Sequence, residues 1–316
     1  MKQQNRRYLC LVLLVGSAFL GVLNAQTFTY TTFDVTEAAQ NALNVEDIDN
    51  AGVIAGYLTD TSGNLEGWIR DTDGSITFLV DPLDTNTPSA TLANSIGNNG
   101  VVTGYFYDTS AALYNGYFYK NGQYVTYSVP NQPAGTDTAL GGINNLKNFC
   151  GYVLQPPYTA YQDFVSFNGV VTVFSPFGTT NTNCLALNSS NTAAGFFIDS
   201  AGLAHGWMRT ASGTITQIDV PAASTVPGPA PCISSNIGGT VVNGINDKGF
   251  ISGHYWDKSY NEHGFVRMPN GRFIRLDVPG AYQTAGGGIN NAGVVVGHWA
   301  TDSSCDDSAY IATPGK

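Results

Sequence analysis

The sequence predicts an all-β protein, a six-bladed β-propeller of four-stranded blades. Three observations predict it: a glycine-centred motif that occurs six times, short strand-like runs joined by Asn/Gly turns, and one unmatched strand ahead of the first copy. β-Branched and aromatic residues alternate in these runs, and only 11% of residues are charged. Repeats of about 40–50 residues with four strands each are typical of propellers.

The motif is clearest in residues 288–299, Gly-Ile-Asn-Asn-Ala-Gly-Val-Val-Val-Gly-His-Trp. Aligned on one glycine, the copies are 48, 47, 44, 58 and 44 residues apart and centre on Gly56, Gly104, Gly151, Gly195, Gly253 and Gly297. An Ile or Leu stands eight residues before each glycine, and a turn rich in Asn and Gly lies between them. Asn and Gly tolerate the positive φ of a tight hairpin turn. Each copy therefore predicts two strands joined by such a turn.

Two further strands complete each unit. In the fifth copy the four strands are predicted at residues 240–245, 250–255, 263–267 and 272–278. The sixth copy has only three, whereas residues 28–35 form an unmatched strand that ends in Asp-Val like the fourth strands elsewhere. Pairing of these two ends would complete the sixth blade and leave no open sheet edge. We therefore predict one domain over residues 26–316, its ring closed by the N-terminal strand.

Residues 1–25 are predicted to be a signal peptide. Lys2, Arg6 and Arg7 precede an apolar stretch at 9–23, and Ala25 offers a small residue for cleavage. The chain is therefore expected to be secreted or periplasmic in a bacterium, without membrane insertion after cleavage. Asp and Glu number 23 against 13 Lys and Arg, a net charge of −10 at pH 7, which argues against nucleic acid as a partner.

Four segments carry a family resemblance: the Gly-Ile-Asn-Asn-Ala-Gly run at 288–293, His-Gly-Phe at 263–265, Ser-Ala-Tyr at 308–310 and Asp-Val-Pro-Gly-Ala at 277–281. They resemble the bacterial extracellular HAF-repeat family, and the similarity covers nearly all of the chain after residue 25. The resemblance implies export and a repeated β-fold, but it implies no activity and no catalytic residues. The third copy departs from the pattern, with Gln-Asp-Phe at 162–164 in place of His-Gly-Phe.

Two loops predict a ligand-binding face. Residues 155–161 are aromatic and rich in proline, and residues 221–239 are an insertion before the fifth copy. The predicted ligand-binding residues are Tyr158, Tyr161, Trp256, Tyr260 and Trp299. Aromatic side chains near polar groups are a common way to bind sugars or extended peptides. Ordinary loop packing is the alternative for each of them.

Glu46 and Asp47 are predicted metal ligands. They stand in the first strand of the first blade, where the other copies have small or neutral residues, and carboxylates near the axis suit a cation such as calcium. A solvated channel mouth is the alternative. His254 and His298 follow the repeat glycine where other copies have Tyr or Phe, which favours packing in aromatic slots over a shared metal.

Asp199 with His205, and Asp257 with His263, recur from blade to blade, which favours hairpin ties over catalysis.

Four cysteines follow residue 25. The predicted disulfide joins Cys184 and Cys232, which precede the inner strands of adjacent blades; free thiols are the alternative.

These observations favour a monomeric binding or scaffold module that uses one propeller face, with a cell-surface or extracellular glycan or protein as partner. The alternative is a propeller enzyme, a metal-dependent hydrolase or polysaccharide lyase with its site at the central channel. The sequence contains no phosphate-binding loop, nucleophile elbow or zinc-spaced His/Cys cluster, so binding without catalysis is the favoured expectation.

Overall fold

The structure is a computed structural model, and it describes residues 27–230, 236–302 and 307–315. The predicted signal peptide, Cys232 and Cys305 lie outside these described residues. No helix in the described part of the chain has the length and apolar character needed to cross a bilayer.

Strands account for the regular structure of the described residues, apart from one 3-10 turn at Pro176–Gly178. The first half of the chain forms β1 (Phe28–Phe33), β2 (Ala38–Ile48), β3 (Ile54–Asp60), β4 (Leu65–Arg70), β5 (Ile76–Leu79), β6 (Thr91–Ile96), β7 (Val102–Asp108), β8 (Leu113–Lys120), β9 (Gln123–Tyr127), β10 (Asp137–Ile143), β11 (Phe149–Leu154), β12 (Tyr161–Phe167) and β13 (Val170–Phe174). The second half forms β14 (Thr182–Leu187), β15 (Ala193–Ile198), β16 (Ala204–Arg209), β17 (Ile215–Ile218), β18 (Gly228–Pro229), β19 (Asn236–Ile237), β20 (Gly239–Ile245), β21 (Ile251–Trp256), β22 (Glu262–Arg267), β23 (Phe273–Leu276), β24 (Gln283–Ile289), β25 (Val295–Ala300) and β26 (Asp307–Pro314).

Among the described residues the strands form six four-stranded antiparallel groups, one for each sequence repeat. We number these groups sheets 1 to 6: β2–β5, β6–β9, β10–β13, β14–β17, β20–β23, and β24–β26 with β1. One parallel bridge, Ala204 to Gly239, connects sheets 4 and 5, and β18 and β19 form a short ribbon within the insertion. The all-β fold is confirmed, and the strands predicted for the fifth copy lie within a residue or two of β20–β23.

β1 lies far from the other strands of sheet 6 in sequence but pairs with β26 over its full length, from Phe28 opposite Pro314 to Phe33 opposite Ala309. The hydrophobic cluster around Trp68 of sheet 1 also includes Val296 of sheet 6. The two ends of the repeat array are therefore in direct contact.

The hydrophobic core consists of clusters between neighbouring sheets, and the third strands supply its largest members. Each third strand has one fully buried aromatic residue, which follows Gly, Asp or Ala: Trp68, Tyr117, Phe164, Trp207, Phe265 and Tyr310. The conserved spacing of this aromatic among the six copies is thus a packing requirement, since large aromatic side chains contribute most to burial.

The repeat glycine of each second strand has a steric explanation. A Cβ on Gly104 would collide with the carbonyl oxygen of Leu92, and a Cβ on Gly195 with that of Asn183, both on the inner strand of the same sheet. The inner strand therefore approaches the backbone of the repeat glycine closely. Any other residue at this position would push the inner strand out of place.

An asparagine at the end of the inner strands joins each sheet to the next. In sheet 5 the Asn246 Oδ1 accepts hydrogen bonds from Lys248 N and Phe250 N and so fixes its own turn. Its Nδ2 donates to Asn290 O of sheet 6 at 2.8 Å. We call this series of contacts the asparagine belt. Its other donors, with their acceptors, are Asn144 to Asn188 O, Asn188 to Asn246 O, and Asn290 to Asp49 O.

The belt changes at sheets 1 and 2, where Asp49 and Gly97 replace the asparagine. Asp49 still fixes its turn but has no amide to donate. Asp47 makes the missing contact instead, because its Oδ2 accepts from Ser95 Oγ at 2.6 Å and from Ile96 N at 3.1 Å, both on sheet 2. Asp47 therefore acts as the link between sheets 1 and 2.

Replacing Asn246 by Asp should separate the two roles of the belt. The turn acceptor is kept and the donor to Asn290 O is lost, so we expect the free energy of unfolding to fall by about 1–2 kcal/mol. Asn246→Ala, which also removes the turn acceptor, should cost more. Denaturant unfolding measures both. Asn270→Asp is the control, because Asn270 accepts from Arg272 N but makes no bond to another sheet. Equal losses for Asn246→Asp and Asn270→Asp would contradict a stabilising belt.

Deleting residues 26–36 removes β1 and should expose the edge of β26. We expect a lower melting temperature and self-association, because an unpaired edge strand accepts another chain. A synthetic peptide covering residues 27–36, added in trans, should restore both properties. Calorimetry and light scattering provide the readouts. A truncated protein that stays monomeric with an unchanged melting temperature would show that β1 is dispensable.

Candidate functional site

A cavity of about 460 Å³ lies between the inner strands and is lined by residues from all six sheets. We call it the central cavity. One residue per sheet, the one that follows the repeat glycine, surrounds it: Tyr57, Tyr105, Tyr152, Phe196, His254 and His298. The aligned repeats show that an aromatic or imidazole residue follows each repeat glycine. The sequence alone does not show whether these side chains face a cavity or the hydrophobic core.

A second set of lining residues comes from β-bulges in the inner strands. The pairing register shifts in every inner strand, for example between Val45 and Asp47 and between Val242 and Gly244. A bulged residue leaves the ladder, and its side chain can be aimed away from the sheet. The bulged residues at the cavity wall are Glu46, Asn94, Leu185, Asn243 and Gly287.

Burial keeps the aromatic and imidazole groups of the cavity uncharged. Desolvation lowers the pKa of His254 to about 4, with a further contribution from His298, whose own pKa desolvation also lowers to about 4. Burial raises the pKa of Tyr105 to about 12 and that of Tyr57 and Tyr152 well above the usual range.

Glu46 is the carboxylate among the described residues that line the central cavity. Desolvation, followed by the neighbouring Asp47 charge, raises its pKa to about 7. Its carboxyl group makes no hydrogen bond to another described residue. Near neutral pH the charge of the cavity therefore depends on Glu46, whose ionisation changes in that range.

Several polar atoms at the cavity wall have no partner in the described protein. They are Asn243 Oδ1, His298 Nδ1 and Trp256 Nε1, all of them buried. The Asn243 side chain is held in place, since its Nδ2 donates to Gly286 O at 2.9 Å. Buried polar groups without a partner are costly and rare in folded proteins. The residues that carry these atoms lie on sheets 5 and 6 and line the cavity beside Glu46 of sheet 1.

The opposite end of the inner strands is narrow. There a cavity of only about 50 Å³ is lined by the Ile/Leu residues that precede the turns and by the turn Asn and Asp residues. Backbone N–H groups of the turns donate to the side chains of the next sheet, as in Asn50 N to Asn98 Oδ1 at 2.6 Å and Asn291 N to Asn50 Oδ1 at 2.8 Å. Room for a ligand is thus confined to the end remote from the Asn/Gly turns.

The structure separates the two predicted metal ligands. Glu46 lines the central cavity, whereas Asp47 lines the small cavity at the turn end. The carboxylate oxygens of Asp47 accept hydrogen bonds from Ser95, Ile96 and Ile48. Within the described ranges no group of three or more His, Cys, Asp or Glu side chains is placed to hold a metal ion. A calcium site at Glu46 and Asp47 stays a prediction without a third ligand.

The five predicted aromatic ligand-binding residues do not form one surface. Trp256 is buried and lines the central cavity, and Tyr161 lines a neighbouring pocket. Tyr158 is exposed and its hydroxyl donates to Gly135 O. Tyr260 packs against the cluster around Trp256, and Trp299 packs against the cluster of Tyr310.

The predicted hairpin ties are present. His205 Nε2 lies 3.4 Å from Asp199 Oδ2, and His263 Nε2 lies 3.2 Å from Asp257 Oδ2. Each histidine also contacts the Asp of the fourth strand through Nδ1, which the sequence did not indicate. The repetition of this arrangement in two sheets is consistent with a structural role.

The disulfide prediction is wrong in its partner. Cys184 is bonded to Cys150, with a Cα–Cα distance of 5.9 Å, and not to Cys232. Cys150 lies next to the repeat glycine of β11, where a buried free thiol was an alternative expectation. Cys150 and Cys184 belong to different repeats, and the sequence does not show that β11 of sheet 3 packs directly on β14 of sheet 4. In the structure both side chains belong to one hydrophobic cluster.

Solved structures with the same fold are found at very low sequence identity. A lectin from Aleuria aurantia, described as a six-bladed β-propeller with a novel mode of fucose recognition, matches with 9% identity and a TM-score of 0.50 over 93% of this chain and 96% of its own. AofleA from Arthrobotrys oligospora matches with 12% identity and a TM-score of 0.51 over 86% of this chain and 83% of its own. A gluconolactonase from Xanthomonas campestris matches with 10% identity and a TM-score of 0.52 over 93% of both chains.

These similarities show a propeller-like all-β fold and nothing finer. No protein-family model matches the sequence, and no curated protein sequence is significantly similar to it.

Replacing Glu46 by Gln should change how stability depends on pH. The pKa of Glu46 in the folded protein, about 7, is above its ordinary value of 4.5, so its contribution is fully present at pH 4.5 and is lost as the pH rises through 7. The variant should therefore match the wild type at pH 4.5 and be more stable at pH 8. Chemical unfolding across this range measures the difference. Glu37→Gln, at an exposed position, is the control. If the stability of the wild type and of Glu46→Gln depends on pH in the same way, the raised pKa of Glu46 is contradicted.

Proposed function

We propose that the chain is an exported six-bladed β-propeller that binds a neutral sugar in its central cavity. The observation that carries the proposal is the cavity itself: about 460 Å³, lined by aromatic rings and Asn side chains, with buried polar atoms that lack partners. Ligand pockets of this size usually combine an apolar lining with a few placed polar groups.

Sugar is the ligand chemistry that fits this wall best. A pyranose has apolar C–H faces that can pack on the rings of Tyr57, Phe196 or Trp256, and hydroxyl groups that both donate and accept. Asn amides offer both roles, and the lining residues of the central cavity include Asn44, Asn94, Asn183 and Asn243.

Charge favours a neutral ligand. No Lys or Arg side chain is among the described residues that line the central cavity, so an anionic ligand would have no partner there. Glu46 would repel it when ionised. The overall excess of Asp and Glu acts in the same direction at longer range.

Support for a closed ring of six blades comes from contacts between the first and last sheets. β1 completes sheet 6, Asn290 Nδ2 donates to Asp49 O at 3.2 Å, and Asn291 N donates to Asn50 Oδ1. In such a ring only the innermost and outermost strands of each sheet keep one unpaired edge. This arrangement suits an extracellular monomer. Export rests on the signal-like segment at residues 1–25 and on the resemblance to extracellular HAF-repeat proteins.

The fold alone does not choose between binding and catalysis, because the Aleuria aurantia lectin and the Xanthomonas campestris gluconolactonase share it. Binding is proposed because the central cavity offers hydrogen-bonding amides and rings, and no cluster of metal ligands among the described residues.

Calorimetric titration with a panel of neutral monosaccharides tests this function. We expect binding to the wild type and a loss of about tenfold in affinity for His298→Phe. The variant keeps an aromatic ring and removes both ring nitrogens, and Phe196 occupies the equivalent position in sheet 4. The control is Gln123→Ala on the exposed face of β9, with unchanged affinity expected. If no neutral sugar binds, or if His298→Phe binds as well as the wild type, the central cavity is not the site.

A further inference from the structure

A second pocket of about 270 Å³ lies beside the central cavity, between sheets 2 and 3. We call it the tyrosine alcove, after the four tyrosines that line it: Tyr105, Tyr114, Tyr152 and Tyr161. Neither the repeat pattern nor the comparisons assign it any role. Leu92, Tyr105 and Tyr152 belong to the walls of both pockets, so the two spaces adjoin.

The four tyrosines form one continuous series of edge-to-face contacts. Ring centroids are 5.7 Å apart for Tyr114 and Tyr105, 6.4 Å for Tyr105 and Tyr152, and 5.8 Å for Tyr152 and Tyr161. Side-chain contacts of this kind hold rings in fixed orientations. The series leads from the central cavity, at Tyr105 and Tyr152, out to Tyr114, whose side chain is 38% exposed.

The alcove also contains polar groups suited to hydroxyls. Asp137 Oδ1 accepts from Tyr114 N at 2.9 Å, which fixes the carboxyl group and leaves its second oxygen without a partner among the described residues. No Lys or Arg among the described residues lines the alcove, so it shares the preference of the central cavity against anions.

This combination distinguishes a sugar chain from a peptide. A bound peptide strand would need a free sheet edge for its backbone groups. The strands that carry the four tyrosines, β7, β8, β11 and β12, are paired on both sides and offer no such edge. Rigid tyrosines with one fixed carboxyl group instead match a ring with apolar faces and hydroxyl edges.

We propose that the tyrosine alcove is a second sugar subsite, so that the ligand is a neutral oligosaccharide with one unit in the central cavity and the following units on the tyrosines. The inference rests on the proposed function of the central cavity and extends it from a single sugar to a chain. Two adjoining subsites on one rigid scaffold raise affinity because the second unit binds without a new association cost.

The experiment uses the full mature protein and neutral gluco-, manno-, galacto- and xylo-oligosaccharides from one to five units, titrated by calorimetry. In the series that binds best, affinity should rise by about tenfold or more between the monosaccharide and the trisaccharide. Tyr114→Ala and Tyr161→Ala should abolish this rise and leave the monosaccharide affinity unchanged. Tyr114→Phe and Tyr161→Phe, which keep the rings, should retain most of it.

Tyr282→Ala is the matched control, because Tyr282 is similarly exposed (40%) but lies on the loop before β24, outside both pockets. Saturation-transfer NMR on the trisaccharide should show contact with at least two adjacent units. Affinity that does not depend on chain length overturns the alcove and leaves the central cavity intact. Absence of any neutral sugar binding overturns both. Tighter binding of uronic acid oligomers, or of a proline-rich peptide that Tyr114→Ala abolishes, also overturns the proposal.

Discussion

The two-ended amide of the belt asparagines is the contact on which the arrangement of the sheets depends. Its oxygen fixes the turn of its own sheet, and its nitrogen reaches the same turn position of the next sheet. Because one planar group makes both contacts, the distance and orientation between consecutive inner strands are set together. Side-chain oxygens of Asn commonly stabilise turns in this way, but the second bond gives this turn a tertiary role.

Close spacing of the inner strands has consequences along their whole length. Glycines in the inner strands permit contact between sheets, as at Gly141, where a Cβ would collide with the Cys184 carbonyl oxygen. The same crowding places a bulge in every inner strand and brings Cys150 within bonding distance of Cys184. The belt narrows one end to a cavity of about 50 Å³, whereas the other end, with bulged residues and the ring of aromatic side chains, has room for a ligand.

Chemical individuality in this protein comes from departures from the repeat. Sheets 5, 6 and 1 supply the imidazoles, Asn243 and the carboxyl group of Glu46. Sheets 2 and 3 supply the tyrosines of the alcove. Asp163 illustrates a different departure, because it stands where the other third strands have Gly or, in sheet 6, Ala309. It is fully buried with Oδ1 unpartnered, and desolvation raises the pKa of its carboxyl group well above the ordinary value. Each departure places a polar group where the other copies have a different residue. The repeated scaffold tolerates these groups because the asparagine belt still joins sheets 3, 4, 5 and 6.

By itself the sequence determined the all-β class, the six repeats, their strand boundaries and the relation between the N-terminal strand and the last repeat. These depend on local periodicity, turn chemistry and glycine positions, which are properties of adjacent residues. It also indicated that His205 and His263 tie their hairpins.

Only the tertiary structure decided which side chains meet between sheets. Glu46 and Asp47 are adjacent in sequence, yet they have different surroundings. Glu46 is the bulged residue and lines the central cavity, whereas Asp47 contacts Ser95 of sheet 2. Cys184 bonds to Cys150 because sheets 3 and 4 pack face to face. Tyr105 contacts Tyr152 because residues almost 50 positions apart occupy equivalent places in neighbouring sheets. Distances between repeats depend on how the sheets pack, and no pattern within one repeat encodes them.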